Sequence, residues 1–299
     1  MKNNEFAKYH PLTGLIYYVL AFVSIFYISN PFVIAALLVF AVWQNVLLDK
    51  GRRLRSNLFF YIFIALVIFL FNPLFSHRGE RVLLYLFGNP VTLESVVYGL
   101  KSALSLVVLL LVFSAFNIVI NPEKFMYLFS QVAEQTAFVV MLGLRFVPTL
   151  KRRIFEISDI SKVSGAKKQK RITKKMTGAA NQLMTLISWS LEDAVTTAQS
   201  MRSRGYGVNI KSKKTFYFLY RFTKKDALFV FFNIISFALF LFTYTDIAIY
   251  PTFSGFGEMF SPKFFANFAF LTVQFALPIF VETINSLKWS FLYNADNRV

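Results

Sequence analysis

The sequence predicts an all-α protein: a polytopic membrane helical bundle of about six spans, interrupted by a basic cytoplasmic block of about three helices. Three observations carry that prediction. Hydrophobic residues make up 56% of the 299 positions, 38 of them Phe, which is more apolar surface than a water-soluble domain of this length buries. The apolar residues fall in runs of spanning length punctuated by Pro, Asn and Gly. The basic residues are unevenly spread, with 20 of the 32 Lys and Arg lying between 121 and 226.

The first span is expected at 12–29. It follows MKNNEFAKYHPLTG and runs into apolar sequence without a small-residue cleavage site, so a retained span is expected rather than a removable signal peptide. Asn30-Pro31 separates it from a second span at 31–48, because Pro fits the first turn of a helix and breaks an interior. A third is expected at 57–75. Asn72-Pro73 and Gly88-Asn89-Pro90 then bracket Val82 to Phe87, a piece too short to cross and expected to be interfacial or re-entrant. Further spans at 100–120, 227–247 and 264–286 complete the set. The chain divides accordingly into membrane spans at 1–120, the basic domain at 121–226 and membrane spans at 227–299.

Orientation follows from charge. Lys50, Arg52, Arg53 and Arg55 in one loop, Lys2 and Lys8 at one terminus and Lys288 and Arg298 at the other fall on the same side as the basic block. Arg78, Arg81, Lys101 and Lys263 are left for the opposite side, so the rich side, with both termini, is expected to be cytoplasmic.

Within the block, Asn121-Pro122-Glu123 reads as an N-cap, a first-turn Pro and an acidic first turn for a helix to about Ala133. A second helix is expected from about Pro148 to Val163, with Leu150, Ile154, Ile157, Ile160 and Val163 as its stripe. The apolar run Ala137 to Leu144 between them is too short to span and is expected to bury or to lie in the interface. The third helix carries WSLEDAVTTAQSMRSRGYG at 189–207, with Leu183, Ile187, Leu191, Ala194, Ala198 and Met201 three or four apart as a packing stripe. Gly205 is its stop, and Arg202 and Arg204 suit the negative end of the helix dipole. Gly165 to Arg171 reads as a cationic connector.

Several chemistries are disfavoured. With no Cys and only His10 and His77, thiolate chemistry is excluded and a histidine metal centre is not expected. No G-x-x-x-x-G-K-[ST] phosphate loop, H-E-x-x-H or Ser-His-Asp arrangement can be named, so no catalytic residue, metal or cofactor is predicted. Of the polar residues within spans, Asn117 and Glu282 fall near span ends, where interfacial solvation is expected; Asn233 and Gln274 lie deeper.

LGLRFVPTL at 142–150, the polar helix after it and WSLEDAVTTAQSMRSRGYG together resemble the transmembrane T component of energy-coupling factor transporters, the EcfT/CbiQ-like family. The layout of most of the chain takes part, but the specific residues lie within 142–207. In that family two Ala-Arg-Gly-type motifs at the ends of two cytoplasmic coupling helices, which cross as an X, dock on a pair of ABC-type ATPase subunits, and the membrane part holds a substrate-binding S component. The resemblance places the second motif at Ser203-Arg204-Gly205, with Ser for Ala. It places the first at Val163-Ser164-Gly165, where Ser164 stands for the arginine, so that either Lys162 or Lys167 supplies the charge or the helix docks mainly by shape and apolar contact.

The resemblance implies a noncatalytic scaffold that couples ATP hydrolysis by its partners to reorientation of the S component, for uptake of a vitamin or other micronutrient through the cell membrane. Arg204 is the expected anchor and Arg202 the second choice, because a forked guanidinium at a helix end can hold a carboxylate and backbone carbonyls together. Arg145 and Pro148 are expected to orient the second helix, with a snorkelling role for Arg145 as the alternative. The alternative function is a permease subunit of another ABC-type transporter with its own substrate pathway. The lipid bilayer is a further partner, and nucleic acid is not, since the positive-inside rule accounts for most of the +17 charge and the block lacks interleaved exposed aromatics.

Overall fold

Helix-starting chemistry is the first thing the computed structural model makes visible; it describes residues 6–28, 30–75, 82–86, 89–163, 172–206, 220–243 and 262–296. Helix α1 (Pro11–Tyr27) opens with Pro behind His10, whose Nδ1 accepts from the Leu12 amide at 3.2 Å. Helix α2 (Pro31–Asp49) repeats the device with Asn30, whose Oδ1 accepts from the Phe32 amide at 2.9 Å. A left-handed Lys50-Gly51 turn leads into α3 (Arg52–Phe75).

The piece beginning at Val82 is a hairpin. Strand β1 (Val82–Leu86) pairs antiparallel with β2 (Asn89–Thr92) and exposes Leu83, Leu84 and Tyr85, so it is a short ribbon beside the helices rather than a crossing segment. Thr92 then caps α4 (Leu93–Val119), which begins seven residues before the expected span because Thr92 and Glu94 make a proper first turn. Helices α5 (Pro122–Val132), α6 (Glu134–Val163) and α7 (Ile172–Ser203) follow, and then α8 (Lys224–Thr243) and α9 (Pro262–Asp296).

Five of these helices, α2, α3, α4, α8 and α9, are long and apolar enough to cross a membrane. The sixth expected span is α1, whose 17 residues sit at the lower limit of spanning length. The protein is an all-α integral membrane bundle.

The chain forms two compact units, residues 1–125 with 220–299, and residues 126–219. In the first, a core of Tyr17, Tyr18, Leu37, Val108, Leu111, Val112, Leu271 and Phe275 joins α1, α2, α4 and α9. Polar side chains stitch these helices and α8: the Asn45 carboxamide donates to the Leu111 carbonyl at 2.9 Å, Ser24 to Gln274 at 3.0 Å and Ser236 of α8 to the Phe270 carbonyl at 2.7 Å. Helix α3 packs chiefly along α4. The two approach closely at Gly99, where a Cβ would stand 3.2 Å from the Phe69 carbonyl and 3.3 Å from the Pro73 ring.

The second unit is built mainly from α6 and α7. Helix α6 begins at Glu134 and runs through Pro148, so the expected start at Pro148 is corrected: the run Ala137 to Leu144 belongs to the same helix, and of it only Ala137 is fully buried. The break from α5 is a single residue, Ala133, whose carbonyl already accepts from the Ala137 amide at 2.9 Å.

Candidate functional site

The last turn of α7 closes by a complete Schellman motif. Gly205 takes φ +82°, its amide donates to the Arg202 carbonyl at 3.0 Å, and the Tyr206 amide donates to the Met201 carbonyl at 3.0 Å. The Ser203 hydroxyl donates to the Ser200 carbonyl at 2.9 Å. With the carbonyls of Ser200, Met201 and Arg202 accepting in this way, the helix ends sharply and Arg202, Ser203, Arg204 and Gly205 all stand exposed. Two guanidinium groups are thus presented beside the negative end of the helix dipole, on a turn that only a residue tolerant of positive φ can make.

Contacts between α6 and α7 fix how this end is carried. The Tyr206 ring stacks on Phe138 with centroids 4.9 Å apart. Fifteen residues along α6, Arg153 pairs with Asp193 at 2.6 Å and lies over the Trp189 ring at 5.9 Å. Rising numbers on α6 therefore meet falling numbers on α7, so the helices run antiparallel where they touch. The 203–205 turn lies at the Phe138 end, and Val163, at the other end of α6, is about 37 Å away along that helix at 1.5 Å per residue.

The face of α7 that is at least partly covered within the chain is Gln182, Leu186, Ser190, Asp193, Thr197 and Met201. This corrects the expected packing stripe: Leu183, Ile187, Leu191, Ala194 and Ala198 are exposed, and only Met201 of that stripe turns inward. Ile154, Ile160 and Val163 of α6 are exposed as well, Val163 at 90%. The arm thus holds itself together through a charged and aromatic crossing and leaves its aliphatic surface uncovered.

Of the other expected site residues, Arg145 and Pro148 are exposed on α6, and among the described residues Arg145 forms no salt bridge. Lys162 lies in the last turn of α6, its side chain outside the described residues, and Ser164, Gly165 and Lys167 lie outside them altogether. Sequence reasoning missed Arg153, Asp193, Trp189, Phe138 and Tyr206 as the residues that join the two helices. Their spacing is informative only once the helices are known to be antiparallel: 138 with 206 and 153 with 193 then fall in one register.

A second set of contacts, in the first unit, anchors the first turns of α5 and α8. The 3-10 turn Phe6–Lys8 inserts Phe6, 1% exposed, among Tyr9, Tyr17, Tyr18 and Phe229. The Phe6 amide donates to Glu282 at 3.2 Å, which corrects the expectation of interfacial solvation for that carboxylate. Buried Asp226 accepts from the His10 amide at 2.9 Å, the Thr13 hydroxyl at 3.3 Å, the Thr223 amide at 2.9 Å and the Thr223 hydroxyl. Lys124 donates to the carbonyls of Ala7 and Val119. Burial holds the Lys124 ammonium below the ordinary lysine value; it also holds the His10 imidazole below 6.5, against the smaller opposing pull of Asp226.

A family model, CbiQ, described as cobalt transport protein, matches residues 8–216. That stretch takes in α1 to α7 and the whole of the exposed turn. No curated protein matches the chain.

Proposed function

The chain belongs to the CbiQ cobalt transport protein family, whose members are membrane components of ABC-type transporters working with ATPases, and from that premise we propose that it is the transmembrane scaffold of an energy-coupling-factor importer. In this reading a pair of ABC-type ATPase subunits grips the α6–α7 arm on the cytoplasmic side, and a membrane-embedded S component carries the cargo. The cargo is a micronutrient, a vitamin or the cobalt that the family's description names. Among the described residues no three His, Cys, Asp or Glu side chains gather to hold a metal ion, and the reading assigns cargo recognition to the S component.

The observation that carries the proposal is the exposed turn Ser203-Arg204-Gly205 on an arm whose aliphatic faces are uncovered. Arg204 extends from a helix end already closed by its own backbone, so its guanidinium is available for a partner's carboxylate. The other predicted anchor begins at Val163, the last residue of α6, and Val163 lies about 37 Å along that helix from the Phe138 end, a separation that suits two separate ATPase subunits. Nucleotide-driven approach of those subunits moves the two ends of the arm against each other, and the surface holding the S component changes with it.

Arg204→Glu tests the anchor. A hot-spot guanidinium of this kind is worth about 2 kcal/mol or more, so copurification of the ATPases is expected to weaken by about 30-fold, with ATP-driven uptake lost. Unchanged association and uptake would refute the anchor.

A further inference from the structure

The first unit carries a groove that the coupling reading leaves unused. It has a volume of about 860 Å³ and runs along α3 from Arg53 to Tyr61, along α4 from Leu110 to Asn117, past its cap Ile120, and up to the first turn of α5. Only Tyr61 and Pro73 are buried on α3, so this is the span whose surface the protein covers least. Its lining combines Arg53, Asn57, Ser114 and Asn117 with the rings of Phe60, Phe113, Phe116 and Phe125. Arg53 and Asn57 are one turn apart on α3, and Ser114 and Asn117 are three apart on α4, so each pair shares a face. The Asn117 carboxamide is held by its bond to the Phe113 carbonyl at 3.0 Å.

We infer that this groove binds one anionic phospholipid, with its phosphate at Arg53 and its acyl chains along Phe60 and Phe113. The lining supplies what such a molecule needs: a cation at the start of α3, carboxamides and a hydroxyl within reach of it, and aromatic rings beside them. Charge at the mouth selects the headgroup. Lys50, Arg52, Arg53 and Arg55 crowd there against Asp49, which lies 3.8 Å from Arg53, so positive charge remains in excess. Basic residues at the interfacial end of a gap between spans suit phosphate-bearing headgroups, and a guanidinium matches phosphate oxygens in a bidentate way. Four basic residues against the single Asp49 at the mouth favour an anionic headgroup over an apolar helix of another protein. The inference does not depend on the ATPase anchor, and its failure would leave that reading intact.

Native mass spectrometry of the full chain in neutral detergent tests it, with phosphatidylglycerol and phosphatidylcholine of identical acyl chains supplied in equal amounts. One phosphatidylglycerol is expected to be retained about fivefold over phosphatidylcholine, the preference one cationic contact confers. Arg53→Gln is expected to abolish the preference, and Ser114→Trp, which fills the groove, to lower retention of both lipids. Excess inorganic phosphate is expected to leave the adduct in place. Equal retention of the two lipids by the unaltered chain would overturn the inference whatever the variants do. So would an undiminished preference in a folded Arg53→Gln chain, or displacement by inorganic phosphate, which would mark a simple anion site.

Discussion

The two units expose apolar surface for different reasons. In the membrane unit the exposed residues, such as Phe59, Phe63 and Phe71 on α3 or Phe231 and Ile234 on α8, surround a core with tyrosines and leucines at 0% exposure and a web of interhelical hydrogen bonds. Such a surface suits lipid, since its own helices are already satisfied. Among the described residues of the second unit, Met126, Ala137 and Leu186 are the buried apolar ones, and the stripe of α7 from Leu183 to Ala198, with Ile154, Ile160 and Val163 of α6, faces outward among charged neighbours. Polar and apolar residues so mixed suit neither lipid nor water alone. Contiguous exposed aliphatic surface of this kind marks a protein interface, in keeping with the proposed ATPase and S-component contacts.

That contrast predicts that polar lesions destabilise one unit and uncouple the other. The largest effect is expected at Asp226→Ala, which strips four hydrogen bonds in the membrane unit and leaves buried donors unsatisfied, at a cost of about 3 kcal/mol. Thermal unfolding of the purified chain in detergent reads it directly. Arg204→Glu sharpens the comparison: because that side chain is exposed on a turn closed by backbone bonds, melting should be unchanged while ATPase association fails. A large loss of melting temperature in Arg204→Glu would erase the distinction between the units.

The smallest effect is a pH dependence. His10 is held neutral by burial, and its Nδ1 accepts the Leu12 amide, a bond that a protonated ring cannot accept. The folded chain therefore binds its proton less readily than the unfolded chain does. The His10 contribution is fully present above pH 6.5 and is lost as pH falls through the lowered folded value. His10→Asn, which keeps a capping acceptor, is expected to flatten that part of the melting-temperature profile. An unaltered profile would assign the acid sensitivity to other groups.

Much of this architecture was legible from one-dimensional signals. Asn30-Pro31 acts over a few residues, so sequence alone locates that helix start, and Gly205 announces a stop that the structure realises with φ +82°; the start of α4 at Leu93 is set by Thr92 and Glu94, which a search for apolar runs passes over. What sequence could not show was partner choice. The stripe from Leu183 to Ala198 has the spacing of a packing face, yet spacing does not say what packs on it, and within the chain the covered face is the more polar one that carries Asp193. Pro148 is a helix breaker by propensity, but α6 is already under way from Glu134 and continues through it. Glu282 looked solvated because it lies near a span end, and only the fold brings the Phe6 amide 276 residues back to it.

In the proposed coupling, the turn at 203–205 faces the cytoplasm and is gripped there by an ATPase. The chain has no cysteine, so Ser203→Cys creates a unique thiol next to Arg204 without touching the backbone bonds that close the helix. Labelling with a membrane-impermeant maleimide, in vesicles of known orientation, is predicted to occur only from the cytoplasmic face and to be blocked when the ATPases are bound. Labelling from the outside, or labelling equally fast with and without the ATPases, would contradict it.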